Sequence, residues 1–350
     1  MNATNADPDS AAADSSVVLP PWIAAQTAEL LAQRGHAWLL MGPSGLGQYT
    51  LALELVRAWL CEQPSPAGAC GHCASCHAIG VRTHADVCVL MPETWMMGLG
   101  WPLSERAQGE IDDKKRKPSK EIRVDAMRDA VEFSQRTSAR GRGKAVLVFP
   151  AENMNHVTAN ALLKTLEEPP GDVKFVLASE SAHQLLPTIR SRCLGHTMRW
   201  PDAAASQAWL KSQGVEGPLA QQALLATGGR PQDALAYANA RPDPAAWSGF
   251  SKAMARGDVG WVRDWSPSEL LVTQQKLCHD LLALCVGAEP RYFAASDLLA
   301  GPSLGALTQW SQALNAQFRT IEHPFNAGLL LESLVSQAQR VLSPSRLPSR

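Results

Sequence analysis

The chain has 350 residues, 45% of them apolar, and a formal net charge of -1. This length predicts two or three domains, and the near-neutral charge argues against a protein whose whole surface binds nucleic acid. Residues 1–17 are rich in Ala, Asn, Asp and Ser and lack the basic and apolar stretches of a signal peptide, so we expect a disordered tail. The longest apolar runs, such as 281–287, are shorter than a membrane-spanning helix.

Strand and helix patterns alternate along the first part of the chain. Apolar runs predict strands at 36–41, 85–91, 145–149, 173–178 and 195–198. Residues with helical spacing predict helices at 47–60, 124–137 and 157–167. This alternation is typical of a parallel sheet covered by helices on both faces. We therefore predict an α/β domain over residues 18–200.

The remainder of the chain carries no strand pattern. Residues 201–243 predict a compact helical unit, residues 244–342 a second helical region, and residues 343–350 a Pro/Ser/Arg tail. Within the α/β domain, residues 94–120 contain Gly, Pro and charges that indicate an insertion. The basic cluster at 114–117 has two interpretations, contact with DNA phosphates or a solvated loop, and the second is favoured.

A glycine-rich turn joins the first strand to the next helix. Gly42 and Gly47 have the spacing of a phosphate-binding loop, although a plain Gly-rich turn is the alternative. A working loop continues with a lysine for the β and γ phosphates and a small hydroxyl residue for magnesium. Gln48 and Tyr49 stand there instead. Gln48 supplies no positive charge and Tyr49 is too large, so we expect a degenerate loop that binds no ATP productively.

The residues after the third strand also indicate a loss of nucleotide chemistry. A nucleotide-hydrolysing protein would place acidic residues there, but Pro150 and Ala151 occupy those positions. Glu152 lies one residue further on, where its carboxylate would turn away from the strand end. The two losses together predict a nucleotide-binding fold without hydrolysis.

Four of the eight cysteines lie within sixteen residues, at Cys61, Cys70, Cys73 and Cys76. The two-residue gaps allow neighbouring sulfurs to bind one tetrahedral metal, and Zn²⁺ is favoured over an iron–sulfur cluster. A closed shell of four thiolates is structural, because it leaves no open coordination position. We therefore expect a zinc module at 61–76.

Three segments, at 160–170, 173–179 and 186–193, closely resemble the core of bacterial clamp-loader subunits of the AAA+ family. The loop position, the cysteine cluster and the helical regions extend the resemblance over about residues 18–342. It implies an AAA+ domain with a RecA-like sheet and zinc module, a lid domain at 201–243 and a collar domain for oligomerisation at 244–342. Because gamma/tau subunits keep the lysine and the acidic residues, the losses select the delta-prime branch.

The resemblance also assigns a role to Arg192. Ser191-Arg192-Cys193 is similar to the motif by which this family presents an arginine to ATP on a neighbouring subunit. Arg192 would then be a catalytic arginine finger in trans. The alternative is a structural arginine paired with a carboxylate of its own chain.

The partners implied by the resemblance are gamma/tau and delta subunits in a hetero-pentamer, the sliding clamp, and primed DNA through the complex. We expect a cytoplasmic bacterial replication protein without ATPase or polymerase chemistry of its own, classed with DNA-directed DNA polymerase only as a holoenzyme subunit. Two alternative functions are an AAA+ ATPase with a divergent phosphate loop and a zinc-dependent DNA-binding module.

Overall fold

The computed structural model describes residues 19–243, 245–299, 301–321, 323 and 326–343. The chain divides into two compact units, one ending at Asp202 and the other beginning at Ala203. Among the described residues, no helix is both long and apolar enough to cross a membrane. The predicted N-terminal tail, 1–17, and residues 344–350 of the predicted C-terminal tail, 343–350, lie outside the described residues.

The first unit alternates strands and helices as predicted. Its strands are β1 Ala37–Met41, β2 Val87–Leu90, β3 Lys144–Val148, β4 Val173–Ser179 and β5 Leu194–Thr197. Its helices are α1 Pro21–Leu31, α2 Gln48–Leu60, α3 Ala74–Gly80, α4 Glu93–Gly98, α5 Glu105–Asp112, α6 Val124–Gln135, α7 His156–Glu167 and α8 Pro187–Arg190.

The five strands form one parallel sheet in the order β2-β3-β4-β1-β5. Alternate strand residues face opposite sides, and Leu39, Val146 and Phe175 share a core with Met127 of α6 and Leu162 of α7. Helix α2 packs against β3 and β4. The predicted parallel α/β class is confirmed, and the carboxyl end of β1 opens directly into the glycine-rich loop.

The insertion at 94–120 contains two short helices, α4 and α5, between β2 and α6. Its shape is held by Glu93, whose carboxylate accepts hydrogen bonds from Arg116 at 2.5 and 2.7 Å and from the Ser119 N–H at 2.7 Å. Burial opposes ionisation of Glu93, but these bonds hold its pKa below the ordinary value. The insertion is therefore a folded element with fixed anchors.

The second unit is helical throughout its described residues. Its helices are α9 Ala203–Ser212, α10 Gly217–Ala226, α11 Pro231–Ala240, α12 Ala245–Ser248, α13 Phe250–Arg256, α14 Pro267–Cys285, α15 Leu304–Phe318 and α16 Ala327–Leu342. Trp247 and Phe293 stack at its core with ring centroids 4.6 Å apart. The buried carboxylate of Asp280 accepts hydrogen bonds from three consecutive N–H groups, those of residues 291–293. The division of this unit into a lid and a collar remains a prediction.

Candidate functional site

The loop between β1 and α2 depends on its glycines. Gly45 and Gly47 have φ angles of 78° and 95°, in the left-handed region that favours glycine. At Gly42 a Cβ atom would lie 2.8 Å from the Cβ of Met198, so a side chain would not fit there without movement. The predicted arrangement of strand, glycine loop and helix is present.

Gln48, which stands at the lysine position, is folded into the loop. Its side chain is 2% exposed, and its Nε2 donates to the carbonyl oxygens of Gly42 at 2.5 Å and Pro43 at 2.7 Å. A side-chain amide has only two N–H donors, and here the nitrogen serves two carbonyls of the loop itself. Gln48 therefore does not point toward an outside ligand.

Tyr49 belongs to a group of four aromatic side chains that we call the aromatic plug: Tyr49, Trp95, Trp101 and Phe149. The Tyr49 ring stacks on Phe149 at 5.6 Å, and the Trp95 ring meets Phe149 edge-on at 5.4 Å. The Trp101 Nε1 donates to the Tyr49 hydroxyl at 2.7 Å. Burial raises the pKa of the Tyr49 phenol, so it stays protonated at neutral pH.

The plug was not predicted from the sequence. Trp95 and Trp101 lie in the insertion, about fifty residues after Tyr49, and no periodic pattern links them to the loop. Phe149 ends the apolar run at 145–149, a pattern that indicates only a strand residue. Tyr49, at the sequence position of a magnesium ligand, is thus packed against Phe149 and hydrogen-bonded by Trp101.

The residues after β3 contain the expected losses. Ala151 is fully buried, and Glu152 accepts a hydrogen bond from the Glu180 N–H at 2.9 Å through its Oε1. Glu180 follows β4, so the carboxylate braces two neighbouring loops at the carboxyl edge of the sheet. This contact gives Glu152 a structural role.

Arg192 lies just after α8 and contacts α7. Its Nε donates to Oε1 of Glu167 at 2.6 Å, and its Nη1 donates to the Thr188 carbonyl at 2.9 Å. The Arg192 side chain is 31% exposed and, with His36 and Ser191, lines an open cleft of about 460 Å³. Exposed ion pairs contribute about 0–1 kcal/mol, so this pairing leaves Arg192 able to exchange partners. The finger role stays a prediction.

The four predicted cysteines meet at one point. Their Sγ atoms all lie within 4.8 Å of one another, with Cys61 and Cys73 at 3.9 Å and Cys70 and Cys76 at 4.0 Å. Four sulfurs at 2.3 Å from a tetrahedral ion would be about 3.8 Å apart. The cluster therefore fits a single ion, and several irons would need more space between the thiolates.

Helix ends and backbone N–H groups hold this thiolate cluster. Cys61 directly follows α2, and Cys73 caps the N-terminus of α3. The sulfurs of Cys61, Cys70 and Cys73 accept N–H donors from Cys70, Cys73 and Cys76 at 3.3–3.4 Å. Such donors favour the ionised thiolate that a metal requires. His72 and His77 are exposed and lie outside the cluster.

The basic cluster of the insertion is partly neutralised. Arg116 binds Glu93 and Glu110, and Lys115 pairs with Asp113 at 2.8 Å. These contacts favour the interpretation of residues 114–117 as a solvated loop. Their contact with DNA stays a prediction.

The first unit is thus a parallel α/β domain of the phosphate-loop class, with the glycine loop at the N-terminal end of α2 and a four-cysteine cluster at its C-terminal end. The family model described as DNA polymerase III, delta subunit, matches residues 26–200, half of the chain. A DNA polymerase III subunit delta' of Pseudomonas aeruginosa is 41% identical over 215 residues, 60% of this chain and 58% of that protein. The subunit delta' of Yersinia pestis is 31% identical over 253 residues, 68% of each chain.

A subunit tau of Escherichia coli is 34% identical over 159 residues, 45% of this chain and 21% of that protein. The chain spans about three fifths of the length of the Pseudomonas aeruginosa relative. It belongs to the family of DNA polymerase III delta-prime subunits.

Proposed function

We propose that this chain is the non-hydrolysing delta-prime subunit of a bacterial clamp loader. In this role it helps to load the sliding clamp on primed DNA, with ATP hydrolysed by neighbouring AAA+ subunits. The observation that carries the proposal is the filled phosphate loop, in a chain that belongs to the delta-prime family. Gln48 closes the loop from inside and the aromatic plug covers the magnesium position.

The lost residues and the added contacts act together against nucleotide binding. Charge-assisted hydrogen bonds to phosphate contribute about 1.5–3 kcal/mol each, and Gln48 supplies none. A nucleotide would also have to break the two hydrogen bonds of Gln48 and displace the stacked ring of Tyr49. The loop serves instead as a rigid connection between β1 and α2.

Arg192 is the residue that we assign to a neighbour's reaction. A guanidinium directed at the γ phosphate stabilises the charge that develops in the transition state, and arginine fingers contribute about 10³–10⁵ in rate. In the isolated chain Glu167 holds Arg192 at the open cleft. On assembly the guanidinium exchanges this weak, exposed carboxylate contact for the phosphate of the neighbouring subunit.

Cys61, Cys70, Cys73 and Cys76 are proposed to hold a structural Zn²⁺, since their spacing fits one tetrahedral ion. When bound, zinc contributes folding free energy to the segment between α2 and α3. The chain's own N–H groups keep the thiolates in position.

The second unit is proposed to contain the lid and the collar that joins gamma/tau and delta subunits in a hetero-pentamer. In α16, which lies within the predicted collar, Leu329 is 66% exposed. We place the assembled loader in the bacterial cytoplasm.

The test reconstitutes the loader with its gamma/tau and delta partners and measures clamp- and DNA-stimulated ATP turnover. Arg192→Ala should lower turnover at least about tenfold with assembly intact. The matched control is Arg190→Ala, which removes a neighbouring exposed arginine and should leave turnover unchanged. Normal turnover with Arg192→Ala would reduce the chain to a scaffold and make Arg192 structural.

Two other outcomes would favour the rival functions. ATP hydrolysis by the purified chain alone would favour a divergent AAA+ ATPase. Tight DNA binding by the chain alone, with a steep dependence on salt, would favour a zinc-dependent DNA-binding module.

A further inference from the structure

Helix α2 connects the thiolate cluster to the aromatic plug. Tyr49 lies in its first turn, and Cys61 directly follows its last residue. The thirteen residues of α2 span about 20 Å at 1.5 Å per residue. One rigid element therefore has a plug residue at one end and a metal-ligating residue at the other.

A second connection returns from the thiolate cluster to the plug. Helix α3 begins after Cys73, carries Cys76 in its first turn, and packs against α2. Two residues beyond its end, the guanidinium of Arg82 lies over the Trp101 ring, 5.6 Å from the ring centroid. Its charge also acts on the Tyr49 hydroxyl and opposes the effect of burial on that phenol's pKa.

The backbone and the side chain of Arg82 are both tightly constrained. Its φ angle is 62°, which is uncommon for a residue other than glycine. Its Nε is buried, and no described residue hydrogen-bonds to it. A Cβ atom at Gly100 would lie 3.8 Å from the guanidinium, so the segment before Trp101 packs directly on this side chain. Strained residues of this kind persist only where the surrounding structure fixes them.

We infer that metal binding by the four cysteines holds the aromatic plug in place through Arg82. The metal fixes the start of α3, α3 fixes Arg82, and Arg82 holds Trp101 and Tyr49 together beside the phosphate loop. The coupling rests on the proposed zinc occupancy but not on the clamp-loader role. Because coupling between two sites is reciprocal, the plug contacts also strengthen metal binding by the same factor.

The test measures the zinc affinity of the full chain by competition with a chromophoric chelator. Arg82→Gln removes the charge and keeps an unbranched side chain. A cation–π contact of ordinary strength then predicts a weakening of zinc binding by about three- to tenfold. Trp101→Phe should weaken it similarly, and the double variant should weaken it by less than the product of the two factors. Arg136→Gln, at an exposed arginine of the same unit, should leave the affinity unchanged.

Equal zinc affinity in the wild type and in Arg82→Gln would overturn the coupling and leave the zinc proposal intact. A wild-type chain that binds no zinc would overturn both. An equal loss in Arg136→Gln, or factors that multiply in the double variant, would show general destabilisation and also contradict the coupling.

Hydrogen exchange gives a second readout. Chelation should raise exchange at residues 46–51 and 99–101 of the wild type before exchange rises in β4, and this early rise should be absent in Arg82→Gln. Protection of 46–51 that survives metal removal would contradict the inference.

Discussion

The two ends of α2 differ in the ligand groups that they carry. At its C-terminal end, four thiolates form a donor set that suits a tetrahedral metal, with all sulfurs within 4.8 Å of one another. At its N-terminal end, the loop geometry survives but the groups that would bind phosphate and magnesium are replaced by Gln48 and Tyr49. The same helix thus joins a site with a complete ligand set to a site without one.

The comparison shows how a loop without phosphate-binding side chains is stabilised. In a phosphate loop that holds no phosphate, the backbone groups that face inward would lack hydrogen-bond partners, and water would enter the empty space. Here Gln48 satisfies two loop carbonyls, and the rings of Tyr49 and Phe149 fill the adjacent volume. Packing and hydrogen bonds therefore stabilise the loop end of α2, whereas the other end carries the four sulfurs for the Zn²⁺ that we propose.

The largest expected effect comes from removing a thiolate. Cys76→Ser should abolish tight zinc binding and unfold the segment between α2 and α3, because structural zinc sites contribute about 10–16 kcal/mol of apparent binding free energy. Zinc content and the thermal midpoint of unfolding measure this. Cys285→Ser, at an exposed cysteine outside the cluster, is the control. Retention of one zinc per chain in Cys76→Ser would contradict the ligand assignment.

The next effect concerns the plug. Tyr49→Ala should lower the free energy of unfolding by about 2–4 kcal/mol, because it leaves a cavity against Phe149. Tyr49→Phe should cost only about 1–2 kcal/mol, since it keeps the ring but leaves the Trp101 N–H without its acceptor. Denaturant titration measures both. A cost below about 0.5 kcal/mol for Tyr49→Ala would show that Tyr49 is not a packing residue.

A third prediction concerns pH and the insertion that supplies two plug residues. The pKa of Glu93 is held below its usual value, mainly by the hydrogen bonds from Arg116 that overcome burial. Its stabilising effect should therefore be full above the ordinary glutamate pKa and be lost as pH falls through the lower folded-state pKa. Glu93→Gln should cost about 1–3 kcal/mol at pH 7.

Unfolding curves of the wild type and Glu93→Gln at a series of pH values check this prediction. The difference between the two chains should shrink as the solution becomes acidic. A difference that stays constant down to the lowest pH at which the chain folds would contradict it.

The smallest effect on stability is expected at Arg192. Its ion pair with Glu167 is exposed, so Arg192→Ala should change the free energy of unfolding by less than about 1 kcal/mol. A thermal denaturation curve checks this. A loss of several kcal/mol would show that the arginine is retained for folding, contrary to its proposed role on a neighbouring subunit.

Local sequence features predicted the strands, the glycine loop and the clustering of the four cysteines well. Each depends on residues close together in the chain: apolar runs for β1 and β3, and the short gaps between Cys70, Cys73 and Cys76 for the thiolates. Helix α3 was not predicted, because its seven residues are too few for a periodic pattern.

The plug and the anchors of the insertion were beyond sequence reasoning. Trp101 meets Tyr49 across 52 positions, and Arg116 meets Glu93 across 23. Such pairs depend on how the insertion folds back on the sheet, which composition and periodicity do not encode. The sequence allows Arg192 to pair with a carboxylate of its own chain, but it does not single out Glu167 among the acidic residues nearby.

The most direct test of the blocked loop is calorimetric titration of the purified, zinc-loaded chain with ATP and Mg²⁺, with an active gamma/tau subunit as the positive control. We expect no binding heat for this chain up to about 1 mM ATP, which corresponds to a binding free energy weaker than about -4 kcal/mol. Saturable binding with a Kd in the micromolar range would contradict the proposed loss of nucleotide binding, because the loop would then open to a nucleotide despite Gln48 and the aromatic plug.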